Sequence, residues 1–197
     1  MNRSELILHF ADGTNVPVDV NDVVKVLHDN GHQADIEFIG VDLDPDILQG
    51  KIKIFYVRNG VYADPIRTAN IYYHRGHDPD WERFICCKEL MHLLDPTAAE
   101  TSTPEAIDEL AEKIGLPPEM QDPVSDGFAT NVDRVAEFRA AAILLPMAVR
   151  DALMPAYQDD KITLADIARL ADIPRKYVGL VMSSGWPQIH DILTEKK

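Results

Sequence analysis

A chain of 197 residues, 46% of them hydrophobic, is long enough for one domain of good size or one domain with an appendage. Its formal net charge of −14 argues against strong, sequence-independent binding of DNA or RNA, which needs lysine and arginine against phosphates; the acidity reads as solubility through self-repulsion. No apolar run approaches the roughly 20 residues that span a bilayer, and the first ten residues lack the apolar core and small-residue cleavage site of a signal peptide, so a cytoplasmic protein with no membrane partner is expected.

In chain order, residues 5–10 (Glu-Leu-Ile-Leu-His-Phe) suggest a first strand and Ala11-Asp12-Gly13-Thr14 a turn. Asn21 is placed to cap a short helix carrying Val23, Val24, Val26 and Leu27, which ends near Asn30-Gly31. Strands are expected at Ile36–Val41, Lys51–Val57 and Ala69–Tyr73, the second with the alternation of a half-buried strand, and Asn59-Gly60 is a turn signal. From residue 79 the pattern becomes helical. A helix capped by Asp78 or Asp80 runs to about Leu94, a second spans 104–114, and a proline-containing loop covers 116–127. A third, alanine-rich helix runs from about Asn131 to Leu145 and is interrupted by Pro146, with helix resuming over 147–157. Two short helices, 164–171 and 174–183, close the chain as a hairpin. Their length is that of a helix-turn-helix, but few basic residues are available to meet phosphates, so packing on the body is the favoured reading. The fold class is α+β. The organisation is an N-terminal sheet region (1–78), a helical core (79–157) and a C-terminal hairpin (158–197), all in one compact unit.

Lys88-Glu89-Leu90-Met91-His92 carries the most chemistry. It is one residue from H-E-x-x-H, in which histidines at i and i+4 project from one helix face onto a zinc ion and the glutamate acts as general base on a zinc-bound water. Here the first histidine is Lys88. An ammonium has three donors and no lone pair, so it cannot ligate zinc unless deprotonated. At 4–5 Å from a divalent cation its repulsion amounts to several kcal/mol at an effective dielectric near ~20. Other polar features are weaker. The adjacent Cys86 and Cys87 point about 100° apart on a helix and cannot form an ordinary disulfide; they read as small interior fillers. His74, His77 and Asp78 cluster before the motif, and His92 could join them at a metal, but the spacing matches no standard zinc set. Ser183-Ser184-Gly185 reads as a helix stop rather than a nucleophile.

Two separated motifs together resemble the ImmA/IrrE family of zinc metallopeptidases over residues 48–185. Arg83-Phe84 precedes Lys88-Glu89-Leu90-Met91-His92 where the family has arginine-phenylalanine before H-E-L-x-H. The helix Asp133 to Pro146 matches a later family pattern at Ala136, Ala140, Leu144 and Pro146, with Ile143 and Leu145 as mild replacements. The resemblance implies a zincin-like, metallopeptidase-like helical core behind a small sheet, and it aligns Asp133 with the third zinc ligand, a glutamate in the family. Aspartate is one methylene shorter and falls about 1.5 Å short. Glu137 is a second candidate for that acid, one turn on. Arg139 stands where the family has phenylalanine.

The resemblance further implies a partner that is a transcription regulator, a repressor of a phage, mobile element or stress response. Three readings follow. In the first, Lys88 replaces the metal and forms an ion-pair cluster with Glu89, His92 and Asp133; the protein has no cofactor and holds a regulator or peptide without cutting it. In the second, it is a divergent zinc endopeptidase with Glu89 as base and His92 and Asp133 as ligands. In the third, the C-terminal hairpin binds DNA.

Overall fold

Residues 3–11 form a helix, where a strand was expected. In the computed structural model, which describes residues 1–42, 49–58, 60, 62–95 and 127–194, with side chains of the last stretch described from 134 onward, this is α1 (Arg3–Ala11). The cause is a capping box: the Asn2 side chain accepts from Glu5 N–H at 2.9 Å, and Glu5 Oε2 accepts from Asn2 N–H at 2.8 Å. The short apolar stretch Leu6-Ile7-Leu8 does not separate strand from helix by periodicity; the reciprocal cap of Asn2 and Glu5 before it decides it. Helical winding then buries Leu6, Ile7 and Ala11.

The second helix, α2 (Val20–Asp29), is capped two residues earlier than expected: Asp19 Oδ1 accepts from Asn21 N–H at 2.8 Å. Val20, Val23 and Leu27 form its buried stripe, and Gly31, at φ +90°, supplies the left-handed turn after its end. Three strands follow: β1 (Ala34–Val41), β2 (Gly50–Val57) and β3 (Ile66–His74). They form a mixed sheet in the order β1-β3-β2, with β1 parallel and β2 antiparallel to the central β3. The inward residues of β3, Ala69 and Ile71, are fully buried and pair with Ile36 and Phe38 on one side and Ile54 and Ile52 on the other.

The helix α3 (Pro79–Met91) starts with Pro79 after the N-cap Asp78 and ends in a 3₁₀ turn, His92–Leu94. Every residue from Phe84 to Met91 is buried, because sheet and helices cover α3 on all sides. The next described helix is α4 (Gly127–Leu144), longer at its start than expected. Pro146 separates it from α5 (Met147–Gln158), which departs at 77°. The helix expected over 104–114, the loop after it up to residue 126, and Asn59 of the expected turn lie outside the described residues.

The C-terminal region holds three helices where two were expected. α6 (Leu164–Ala171) begins at a Thr163–Asp166 capping box, and α7 (Arg175–Val181) follows Pro174. The additional α8 (Trp186–Thr194) buries Trp186 completely and lies on α1, where Ser4 Oγ donates to the Leu193 carbonyl at 3.0 Å. Among the described residues the architecture is thus mixed α+β, with eight α-helices and one three-stranded sheet. No single described helix is long and apolar enough to cross a membrane.

Candidate functional site

Glycine at the start of β2 sets how closely the sheet approaches α3. A Cβ on Gly50 would lie 2.2 Å from Ile85 Cγ2 and 3.4 Å from Glu89 Oε1. The backbone therefore passes directly over the α3 turn that carries the motif. Beneath it, Lys88 Nζ lies 2.9 Å from Glu89 Oε1, and the two side chains are 9% and 4% exposed. Both charges of the pair are withdrawn from water. The attraction between them is strong there, but each ion has lost its hydration, so the pair's net contribution is small while the cost of removing one member is large.

His92 turns to a different partner. Its Nδ1 lies 2.6 Å from Asp95 Oδ2, three residues on and itself buried. A carboxylate only accepts, so Nδ1 carries the proton, and the contact sets both tautomer and ring orientation. Asp95 Oδ1 faces two guanidiniums: Arg3 Nη1 at 3.0 Å and Arg139 Nη1 at 3.8 Å. The Arg3 contact is an ion pair without hydrogen-bond alignment, since Oδ1 has no hydrogen-bond donor among the described residues. Arg3 Nε also donates to the Leu94 carbonyl at 3.0 Å, so α1 clamps the 3₁₀ turn.

The structure thus brings Lys88 and Glu89 together and directs His92 Nδ1 to Asp95. Asp133 lies on α4, with its side chain outside the described residues; Glu137, one turn on, is half-buried. Nothing in the motif itself marks Asp95, Arg3 and Arg139 as parts of one cluster. An acid at i+3 from a motif histidine was a usable signal for Asp95, and a charge before the buried run Ala140-Ala141-Ala142 was one for Arg139. Arg3 carried none, because it reaches the site only through tertiary packing.

The described donors do not fit a zinc ion. The motif offers one imidazole, and its first ligand position holds an ammonium committed to Glu89. Among the described residues no group of three or more His, Cys, Asp or Glu side chains gathers to hold a metal. The upstream histidines serve an aromatic row instead: His74 meets His77 edge-on with centroids 5.1 Å apart, and His77 stacks on Trp81 at 6.1 Å. Cys86 and Cys87 are buried free thiols. Burial, reinforced by Glu82 and Glu89, pushes the Cys86 thiol up to about 12, and burial raises Cys87 as well, so neither is a ready nucleophile.

The terminal helices pack on this region. Tyr177 of α7 stacks on Phe84 of α3 with centroids 3.6 Å apart, and Lys176 lies over the Trp81 ring at 4.9 Å. Arg83 Nε donates to Asp172 Oδ2 at 2.9 Å, tying α3 to the turn between α6 and α7. Tyr177, Val178 and Val181 of α7 are buried, so the second helix of the pair spends one face on the body. Ser183 lies in the turn after α7, and its carbonyl accepts from Arg150 Nη2 at 3.2 Å. No protein-family model matches this chain, and no curated protein is similar enough to count as a match.

Proposed function

We propose that this is an ImmA/IrrE-like protein with a metallopeptidase-like core, free of metal and catalytically degenerate, which acts in the cytoplasm by binding a transcription regulator. The observation that carries the reading is the buried Lys88–Glu89 pair at 2.9 Å. In an H-E-x-x-H helix the glutamate needs a free carboxylate beside a metal-bound water, and the first histidine needs a lone pair. Here one side chain removes both conditions, because Lys88 supplies no lone pair and its charge occupies the carboxylate. The regulator as partner comes from the resemblance of the two helix motifs.

A second reading, a divergent zinc endopeptidase that cleaves such a repressor, is favoured by the His92–Asp95 contact at 2.6 Å. A carboxylate on the second ring nitrogen is how metal-ligating histidines are held. It is equally what a site that lost its metal would retain.

The test is restoration. Lys88→His together with Asp133→Glu should create tight, stoichiometric zinc binding in a folded protein, while Asp133→Glu alone should not. A folded double variant that binds no zinc would contradict the assignment of Lys88 to a vacated ligand position.

A further inference from the structure

The inner face of α8 carries two polar groups that packing leaves without partners. Trp186 is fully buried, and its Nε1–H meets no acceptor among the described residues. His190, one turn on and on the same face, is 7% exposed, and its Nε2 has no partner among them either. The root of the helix is held firmly. Arg150 of α5, itself buried, donates from Nε to the Val181 carbonyl at 2.8 Å and from Nη2 to the Ser183 carbonyl at 3.2 Å. Beyond that hold lies the link Ser184-Gly185, exposed at both residues, and a Cβ on Gly185 would meet nothing within 4 Å. The far end of α8 is tied to α1 by the Ser4 hydroxyl on the Leu193 carbonyl.

Proton uptake acts on this arrangement in one direction. A neutral imidazole keeps one nitrogen bare, whereas both nitrogens of an imidazolium are donors, so Nε2 becomes a charged, buried N–H facing no acceptor among the described residues. Two carboxylates act on the ring: Asp191, the next residue of α8, and Asp151 of α5, whose Oδ1 is held by Arg150 Nη1 at 2.7 Å. They favour the proton, and burial outweighs them. The charges of α1 are engaged elsewhere: Arg3 with Leu94 and Asp95, Glu5 with the cap at Asn2, and His9 edge-on to Phe10. Arg175 and Lys176 stand at the start of α7, away from its link to α8, with Lys176 over Trp81.

We propose that α8 is a pH-released strap: protonation of His190 undocks it from α1, with Arg150 holding its root and Ser184-Gly185 as the hinge. Undocking gives both His190 Nε2 and the Trp186 indole N–H the water partners that the docked state denies them. It uncovers one face of α1, the helix whose Arg3 clamps the 3₁₀ turn after the motif helix. Undocked His190 takes the ordinary value of 6.5, so the undocked population rises by up to about tenfold per pH unit below that, until the docked value is reached. The opening is local, with the sheet and α3 still packed.

Hydrogen exchange of the full chain, followed from neutral pH downward with each amide rate divided by its intrinsic rate, tests this. The α8 amides, such as Ile189 N–H on the Gly185 carbonyl, should lose protection by up to about tenfold per pH unit below 6.5. Amides of β3 and α3 should keep theirs over the same range, which separates release of one helix from loss of the whole fold. His190→Leu should make the protection of α8 independent of pH. Should leucine disturb the packing, His190→Gln, neutral at every pH, should do the same. Protection of α8 that does not change with pH in the parent, a loss shared equally by α3, or an unchanged pH response in a folded variant would overturn the proposal.

Discussion

Lys88 and Glu89 place two opposite charges side by side out of water, and the consequence for stability is asymmetric. Lys88→Met should leave Glu89 buried without a partner and destabilise the fold by about 3–5 kcal/mol, whereas Lys88→Met with Glu89→Leu should recover most of that loss. Urea denaturation of the two variants and the parent checks this; equal stability of the single and double variants would show that the ion pair is not the reason for the loss. Asp95 is the second such residue. It compensates Arg3 and Arg139 and holds the His92 ring, so Asp95→Asn should cost about 3–5 kcal/mol by leaving buried guanidinium charge uncompensated, with a loss under 1 kcal/mol arguing against the cluster as drawn. These residues were legible to different degrees. Lys88, Glu89 and His92 stand out because a motif fixes their spacing, the first two on α3 and His92 at the start of its 3₁₀ turn. Arg3 could not be read, since it reaches Asp95, 92 positions along the chain, only after α1 packs against the core.

Among the elements, β2 and α3 meet at Gly50. Gly50→Ala would drive a methyl into Ile85 Cγ2 and should cost about 1–3 kcal/mol through overpacking. Ile85→Ala should then be less damaging in the Gly50→Ala background than in the parent, a coupling that a double-mutant cycle in denaturant measures and additive effects would rule out. At the other end of the chain, α8 buries His190, whose Nε2 has no hydrogen-bond partner among the described residues. Burial lowers its proton affinity below the ordinary 6.5, against the pull of Asp191 and Asp151. The unfolded chain therefore takes up the proton first. The contribution of neutral His190 is fully present above about pH 6.5 and is lost as pH falls through the lower folded value. His190→Leu should flatten the decline of stability as pH falls below about 6.5 relative to the parent; an identical pH profile would mean that other groups cause it. The strands β1 to β3 and helices α2 to α7 are legible because alternation, helix-stop residues and proline breaks agree over their length. α1 has the look of a strand because its apolar residues Leu6-Ile7-Leu8 are too few to show a helical period, and its cap begins at Asn2, before the expected strand. α8 has no such signal before it: Ser183-Ser184-Gly185 reads as a helix stop, and the helix that restarts at Trp186 lies beyond it.

Across the whole molecule, the mixed sheet, α3 and α4 form one core, and the terminal helices close over it through Tyr177 on Phe84 and α8 on α1. The motif helix is consequently buried along its second half, where Lys88 and Glu89 pair with each other. Coarse α+β class was open to inspection of the sequence; the clamp of α1 on the motif's 3₁₀ turn was not, because it depends on contacts between distant segments. The central claim is that the Lys88 ammonium, held by Glu89, stands in for a cation. Zinc titration of the parent protein against a chromophoric chelator tests it most directly. The account predicts no tight equivalent of zinc taken from the chelator at neutral pH, and uptake of one zinc per chain, abolished by His92→Ala, would contradict it.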